Sequence, residues 1–540
     1  MISNRTYVGL TNLDRPHNRD GGIFCLLTIL VVVILLKASR SHQEFKEFLT
    51  EQIKLHYIEK GYVGTVLLYH RELTRVWYTD LTEVSNIIRF RYSFRCGAPA
   101  RDPVDMFRSL FLMEMTHCNS VDDWVKELKA FPFWAILSGF SPESVPGVGT
   151  FYDFMKRLWL ADSPHLSKKA RKRRRKPKKG KKKGEKSPIR KPGIVKRLVD
   201  RFLTRSPRFT TRPHDLLQRI FKECFVVPSA KLGLLGDIEH LRVAGDGTSV
   251  RTGASRYGKM TCACRKQGVF NCLCPRRYSD PDASWGWDSY REEYYYGRGL
   301  YAFSAADSPY DLPVHLLFHK AERHDSVAFV LSFFDLMHLY PEFKFEECLL
   351  DSAHDAYAIY ELLHHYDISA VIDLNKRNAG NISCDGEFTF TKNGLPVCPS
   401  GHIMAYHGYC KDRQRHKWRC PMTRKKWNVK CDNPCSDSKY GRVFYTREQD
   451  NLRYFTRIPR NTPQWNIRYK RRTTVERYFK RLKEDYLLER RGKIRSSMTW
   501  YFRVFAASMC LHTDAWVSHQ NLDIRPMILQ WAGEIKLQVA

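Results

Sequence analysis

Three features of the chain predict an α/β protein preceded by a helical domain. Apolar residues recur at helical period through residues 40–160. A lysine- and arginine-rich stretch broken by prolines follows. From about residue 236, short apolar runs ending in acids alternate with helical stretches. Strand–helix–strand order of this kind implies a core containing parallel strands. With 540 residues, 43% of them hydrophobic, the chain can form about two to four domains and a large core.

Taken in order, the first element is the apolar run from Ile23 to Leu36, in which Thr28 is the one polar residue. It is short for a membrane span, which needs about 20 residues. Arg15 and Arg19 precede it in the manner of a signal peptide, but no convincing small-residue cleavage site follows. We read residues 1–39 as a hydrophobic N-terminal segment, a buried or aberrant helix rather than an anchor or a cleaved signal. Residues 40–164 read as a helical domain of a DNA-binding type. Gln43–Tyr57 has helical periodicity, and Pro103 opens a second helix at the position where proline is tolerated. Asn119 begins a third with an N-cap-like start, and Val148–Leu158 is a fourth.

Residues 165–193 form a basic linker expected to be disordered when free. Sixteen of residues 168–191 are Lys or Arg and one, Glu185, is acidic. This run supplies +15 of the net +33, so the rest of the chain still carries +18. Both parts point to a polyanionic partner, and the run itself suits salt-sensitive phosphate binding by counterion release.

Residues 194–379 hold the first part of the α/β core. Strands are expected at Leu241–Val250, Val314–His319, Cys348–Asp351 and Ile368–Leu374. Helices are expected from His324 to Tyr340, with Asp325 or Ser326 as N-cap, and from Asp355 to Tyr366. Asp246 lies at a strand end between two glycines, and Asp351 closes a short apolar strand. A Cys/His-rich insertion follows at 380–450, and residues 451–540 complete the core. There Arg472, Glu476, Lys480 and Lys483 fall near one face of a helix, with Tyr469 on the same stripe. One acid among bases suits a metal ion beside a phosphate backbone. Two strand-borne acids and a helix-borne acid can converge on two divalent metals for displacement at phosphorus, and carboxylates select Mg²⁺ or Mn²⁺.

The spacing Tyr469-x2-Arg472-x3-Glu476-x6-Lys483 resembles the YREK signature of a group of insertion-sequence transposases. Val-Ala-Gly-Asp246-Gly-Thr and Leu-Leu-Asp351-Ser-Ala-His-Asp-Ala-Tyr resemble that group's first and second acidic motifs, and the similarity runs over roughly residues 95–515. The resemblance implies a DDE transposase with a ribonuclease-H-like catalytic core. It implies that Asp246, Asp351 and Glu476 are catalytic and bind Mg²⁺ or Mn²⁺. Tyr469, Arg472 and Lys483, with Lys480 beside them, would hold DNA. Asp355 is a possible substitute for Asp351. The implied partner is double-stranded DNA, both terminal inverted repeats and target, bound by a homodimer, with no small-molecule substrate. The location that goes with it is the cytoplasm, on the nucleoid. Two other readings are a non-catalytic, zinc-stabilised DNA-binding protein descended from such an enzyme, and a related metal-dependent nuclease.

Sixteen cysteines would suit a disulfide framework in a secreted chain, but eight fall in two clusters with metal-ligand spacing. Cys262, Cys264, Cys272 and Cys274 form C-x-C-x7-C-x-C. The second set is Cys398, Cys420, Cys431 and Cys435, with Cys410, His402, His407 and His416 in reserve. Four thiolates leave no open coordination position, so structural Zn²⁺ is expected at each. The bases and Trp residues between Lys411 and Lys430 fit a DNA-contacting platform.

Overall fold

Ser41 starts the first long helix, α1 (His42–Ile53), with a reciprocal cap. Its hydroxyl accepts from the Glu44 N–H, and the Glu44 carboxylate accepts from the Ser41 N–H at 2.6 Å. The structure is a computed structural model that describes residues 38–93, 99–161, 192–205, 209, 211–375, 387–423, 430–488 and 494–534, and backbone alone at 34–35, 98, 167–169 and 535–539. Most of the 23–36 segment and of the basic run therefore lies outside the described residues. Of the first, the backbone of Ile34–Leu35 pairs in parallel with Ala98–Pro99. Of the second, the backbone of Ser167–Lys169 pairs antiparallel with Arg276–Tyr278. Among the described residues no helix is long and apolar enough to cross a membrane.

The N-terminal part is helical, as its periodicity indicates. Asp102 caps α2 (Pro103–Met115) through the Val104 N–H, with Pro103 at the first position. Every residue of α2 is buried, so it lies in the interior rather than on a domain surface. The helical part shares its core with the central sheet and the C-terminal helices: one apolar cluster takes in residues from Phe45 to Trp531.

The central sheet is built from β1 (Leu241–Arg251), β2 (Ser284–Asp288), β3 (Glu293–Ala305) and β4 (Pro313–Lys320), then β5 (Phe345–Leu350) and β6 (Ser369–Ile372). Helices α3 (Asp325–Leu339) and α4 (Tyr357–His365) provide the connections before β5 and β6. β6, β5 and β1 lie side by side in parallel. β1 then pairs antiparallel with β3, whose far edge is shared between β2 at its start and β4 along the rest. The fold is thus mixed α/β. β3 has thirteen residues and was not legible as a strand, because from Arg298 to Ala305 it is buried on both sides and shows no alternation.

The Cys/His-rich insertion carries its own antiparallel sheet, β7 (Ala405–Cys410), β8 (Arg415–Arg419) and β9 (Val443–Arg447), over a small core of Cys398, Met404 and Trp418. The chain then returns through α5 (Pro463–Lys470), α6 (Thr473–Glu484), α7 (Ser497–Gln520) and α8 (Arg525–Val539). α7 is buried along most of its length and binds the two ends of the chain together. Arg503 on α7 pairs with Glu114 on α2 at 2.7 Å, with both side chains almost fully buried. Removing one partner of such a pair costs about 3–5 kcal/mol, because the other charge is left uncompensated.

Candidate active site

Strand register brings the first two acids level. Leu350 at the end of β5 pairs with Gly245 on β1, so Asp351 follows alongside Asp246. Asp246 does not end its strand, as its glycine neighbours suggested. β1 runs on to Arg251, and Asp246 pairs with Ala302 of β3. The glycines serve close packing instead. A Cβ at Gly245 would lie 2.7 Å from the Tyr301 hydroxyl, and one at Gly247 would collide with the Asp325 carboxylate at 2.2 Å.

Below the acids lies a buried polar pair. His354, fully buried, donates from Nδ1 to Asp351 Oδ1 at 2.5 Å, and its Nε2 meets the Tyr301 hydroxyl at 3.0 Å. Burial pushes the Asp351 carboxyl up, but the His354 hydrogen bond and charge outweigh it and hold the group below its usual range. Burial would neutralise His354, and Asp351 reverses this and raises it. Asp246 has no such partner. Burial first, and then Asp351, push its carboxyl up to about 7.

The third acid comes from α6. The expected single helix is two: α5 ends at Lys470, and α6 begins at Thr473. Thr473 and Thr474 direct their hydroxyls to the Lys470 and Arg471 carbonyls, which competes with regular helix bonding at the junction. Tyr469 therefore sits on α5, stacked on Trp465 at 4.5 Å, rather than on the stripe of Glu476. Arg472 joins the two helices. Its Nη2 lies 2.7 Å from Glu476 Oε1, its Nη1 3.8 Å from Asp246 Oδ2, and its guanidinium 5.5 Å from the Tyr469 ring. Lys483 faces the cleft beside the acids, whereas Lys480 is exposed and lies 3.8 Å from Glu484.

Asp355, the alternative to Asp351, is held by partners of its own. Arg453 grips both its oxygens, at 2.8 and 2.6 Å, while the Tyr360 hydroxyl and the Asn375 N–H donate to it as well. That carboxylate is a structural anchor for the segment after the insertion.

Asp325 or Ser326 was expected as the N-cap. The cap is His324, whose ring accepts from the Ser326 N–H, and Asp325 instead packs against Gly247 and adds to the charge felt by Asp246. The repeated Gly around Asp246 was the signal for that approach. Asp246, Asp351 and Glu476 offer oxygen-only donors, which suit Mg²⁺ or Mn²⁺. They are not drawn into one tight cluster, since among the described residues only four cysteines have all their ligand atoms within 4.8 Å. Glu476 is held by Arg472 instead.

Those cysteines are Cys262, Cys264, Cys272 and Cys274. Cys262 and Cys272 have their sulfurs 3.6 Å apart, as do Cys264 and Cys274. A tetrahedron with bonds of about 2.3 Å has edges of roughly 3.8 Å, so these two spacings suit zinc, and all four sulfurs lie within 4.8 Å of one another. The second set is looser. Cys398, Cys420, Cys431 and Cys435 line one cavity of about 220 Å³, and Cys398, Cys435 and Cys431 each add to the raised Cys420 thiol, after burial. Of the reserve candidates, His402 lines that cavity, while His416 is buried beside Tyr406 on the insertion sheet.

No protein-family model matches this chain, and no curated protein matches it either.

Proposed function

We propose that the chain is a DDE transposase with a ribonuclease-H-like core that cleaves DNA at the ends of an insertion sequence and joins them to a target. The observation that carries the reading is the side-by-side placement of Asp246 and Asp351 at parallel strands, with Glu476 from α6 and Arg472 from the α5–α6 junction beside them. The strand order β4-β3-β1-β5-β6 supports the same core.

Asp246 and Asp351 would hold a divalent cation, joined by Glu476 once it releases Arg472. When bound, that cation supplies charge stabilisation for in-line displacement at phosphorus. The chain's own residues do the remainder. His354 fixes the Asp351 carboxylate through Nδ1. Arg472, freed from Glu476, and Lys483 place phosphates by charge, and Arg472 adds a planar fork. Tyr469 sets the Arg472 guanidinium from one side. The Cys262–Cys274 site, and the insertion with its second cysteine set, are structural zinc elements of a DNA-binding surface. The partner is double-stranded DNA, gripped by a homodimer on the nucleoid.

The test is incubation of the purified protein with Mg²⁺ and a duplex carrying the inverted repeats that flank its gene. Nicking at the repeat end followed by joining to a second duplex supports the reading. Cleavage without joining would identify a nuclease, and tight binding without either a non-catalytic DNA-binding protein.

A further inference from the structure

The four cysteines of the first set sit at the tip of a hairpin that the apolar core does not hold. Its strands, Lys259–Met260 and Arg276–Tyr278, pair antiparallel through two residues each. Neither apolar cluster takes in any residue from 252 to 283, and at the tip Val269, Phe270 and Leu273 are exposed. A two-stranded hairpin is marginally stable at best in water. The base of this one is fixed by polar contacts. Arg298 of β3 donates to both oxygens of Asp280 at 2.6 Å, and the Ser497 hydroxyl donates to Asp282. Towards the tip the Thr261 hydroxyl donates across the loop to the Pro275 carbonyl at 3.0 Å. Beyond that bond the four thiols offer the stronger tie, because a metal bridging them closes the whole of residues 261–275.

A third strand joins the hairpin from elsewhere in the chain. Arg276–Tyr278 is the middle strand, and its second edge takes the backbone of Ser167–Lys169. There the basic run begins, with sixteen Lys or Arg among residues 168–191. The register sets Lys168 opposite Arg277, which lies opposite Lys259, so one row across the sheet holds three cationic residues. Lys169 lies opposite Arg276 in the next row. From Thr252 to Ser279 the chain has six Lys or Arg and no acid. Like charges at directly opposite positions destabilise a sheet, so with protonated thiols the strand from the basic run is poorly held. Metal reverses this. Four thiolates around one Zn²⁺ leave a formal double negative charge. That charge would lie next to the cationic rows, since Cys262 comes two residues after Met260 and Cys274 two before Arg276. The same ion fixes the middle strand that the segment pairs with.

We propose that the Cys262–Cys274 hairpin is a metal-gated dock for the start of the basic run. With zinc bound it holds Ser167–Lys169 as an edge strand, and without zinc it lets that segment go. The inference rests on the reading of the four cysteines as a zinc site and gives that metal a task beyond holding its own loop. The hairpin leads through Asp280 and Asp282 into β2, which lines the cleft beside the acids. Docking therefore starts the sixteen bases at that wall. When the dock is empty, the anchor before the run recedes to Leu160, whose N–H donates to the Pro213 carbonyl at 2.9 Å. The anchor after the run stays, since Lys196 in the helix Ile194–Thr204 pairs with Glu361 at 2.9 Å.

The experiment is amide hydrogen exchange on the full-length protein, with zinc content measured on the same samples. The samples are the zinc-loaded wild type, Cys272→Ser, and Cys435→Ser, which alters the insertion's cysteines alone and serves as the control. Amides of residues 167–169 and 276–278 are expected to exchange about tenfold faster in Cys272→Ser than in the other two. Exchange in α1 should be the same in all three, which shows that the fold is kept. Stripping the wild type with a chelator should reproduce the loss of protection at 167–169, and added Zn²⁺ should restore it, so the result does not depend on the variant folding. Loss of about one equivalent of zinc in Cys272→Ser, with exchange at 167–169 unchanged, would overturn the dock and leave the zinc site standing. Equal zinc in the wild type and Cys272→Ser would sink the zinc reading of the four cysteines and the dock with it.

Discussion

Arg472 Nη2 lies 2.7 Å from Glu476 Oε1, one turn along from the point where α5 gives way to α6. Since Nη1 also approaches Asp246, the guanidinium spans two of the three acids. It thereby acts as counter-charge in the free protein and is a candidate phosphate ligand when DNA arrives.

Arg472→Ala should weaken binding to transposon ends by about 1–3 kcal/mol, the range for a lost charged hydrogen bond. The fold should persist, because the side chain is held by its ion pairs with Asp246 and Glu476 and not by the apolar core. Arg472→Lys should recover only part, lacking the planar fork. End binding and cleavage measured together across a Mg²⁺ titration decide the matter. Normal DNA affinity with a shifted Mg²⁺ requirement would show that Arg472 serves the acids alone.

Asp351 and Asp355 lie four residues apart and should fail differently when replaced. Asp351→Ala should abolish cleavage and cost about 1–3 kcal/mol, since it leaves the buried His354 Nδ1–H without its acceptor while the ring can shed its charge. Asp355→Ala strands the Arg453 guanidinium inside the protein and should cost about 3–5 kcal/mol of stability. Denaturant unfolding and cleavage assays on the two variants test this. Wild-type cleavage by Asp351→Ala would remove it from the site.

The contrast between those two aspartates shows what the sequence could reveal. An apolar run ending in acid marks Asp351 as a strand-end residue, and the strand is there. Nothing local tells that Arg453, 98 residues on, has claimed Asp355. The same holds for Asp325. Its place at a helix start was legible, but its approach to Asp246 depends on Gly247, a contact between separate elements. The two-helix junction at Arg472 was lost for another reason. The apolar period runs through it almost unbroken, and only the paired threonines mark the change. The β2–β3 hairpin was missed because Trp and Tyr at alternate positions read equally as core or as surface.

Zinc content separates the two cysteine sets. The first has its four sulfurs already at ligand spacing, so Cys272→Ser should release about one equivalent of zinc. Cys435→Ser should do the same at the insertion, where binding must first draw the cavity's thiols together. That site should therefore give up its metal at a lower chelator concentration. Metal analysis during stepwise chelation is the measurement. A protein that holds no zinc and folds fully would refute both sites.

The polar chain beneath α7 predicts how stability falls in acid. The Trp516 indole N–H donates to Ser229 Oγ at 2.7 Å, and the Ser229 hydroxyl meets His512 Nδ1 at 2.7 Å. His512 Nε2 lies 2.9 Å from the Pro313 carbonyl, which can only accept. The ring is therefore protonated on Nε2 and neutral, with Nδ1 as acceptor from the serine. A second proton would leave the hydroxyl facing a donor inside a closed core. Burial accordingly pushes the His512 pKa down to about 4, from the ordinary 6.5. Because the folded value is the lower one, the unfolded chain binds the proton first as pH falls. The contribution is whole above pH 6.5, declines through the window between the two values, and is gone below about 4. At 1.36 kcal/mol per unit the full loss is about 3 kcal/mol, of which about 2 kcal/mol is reached at pH 5. His512→Gln keeps one acceptor and one donor without a titrating group. Its stability should fall by about 2 kcal/mol less than that of the wild type between pH 7 and pH 5, read from denaturant unfolding at the two values. Parallel losses in the two proteins would mean that His512 takes up its proton without disturbing the Ser229 and Pro313 contacts.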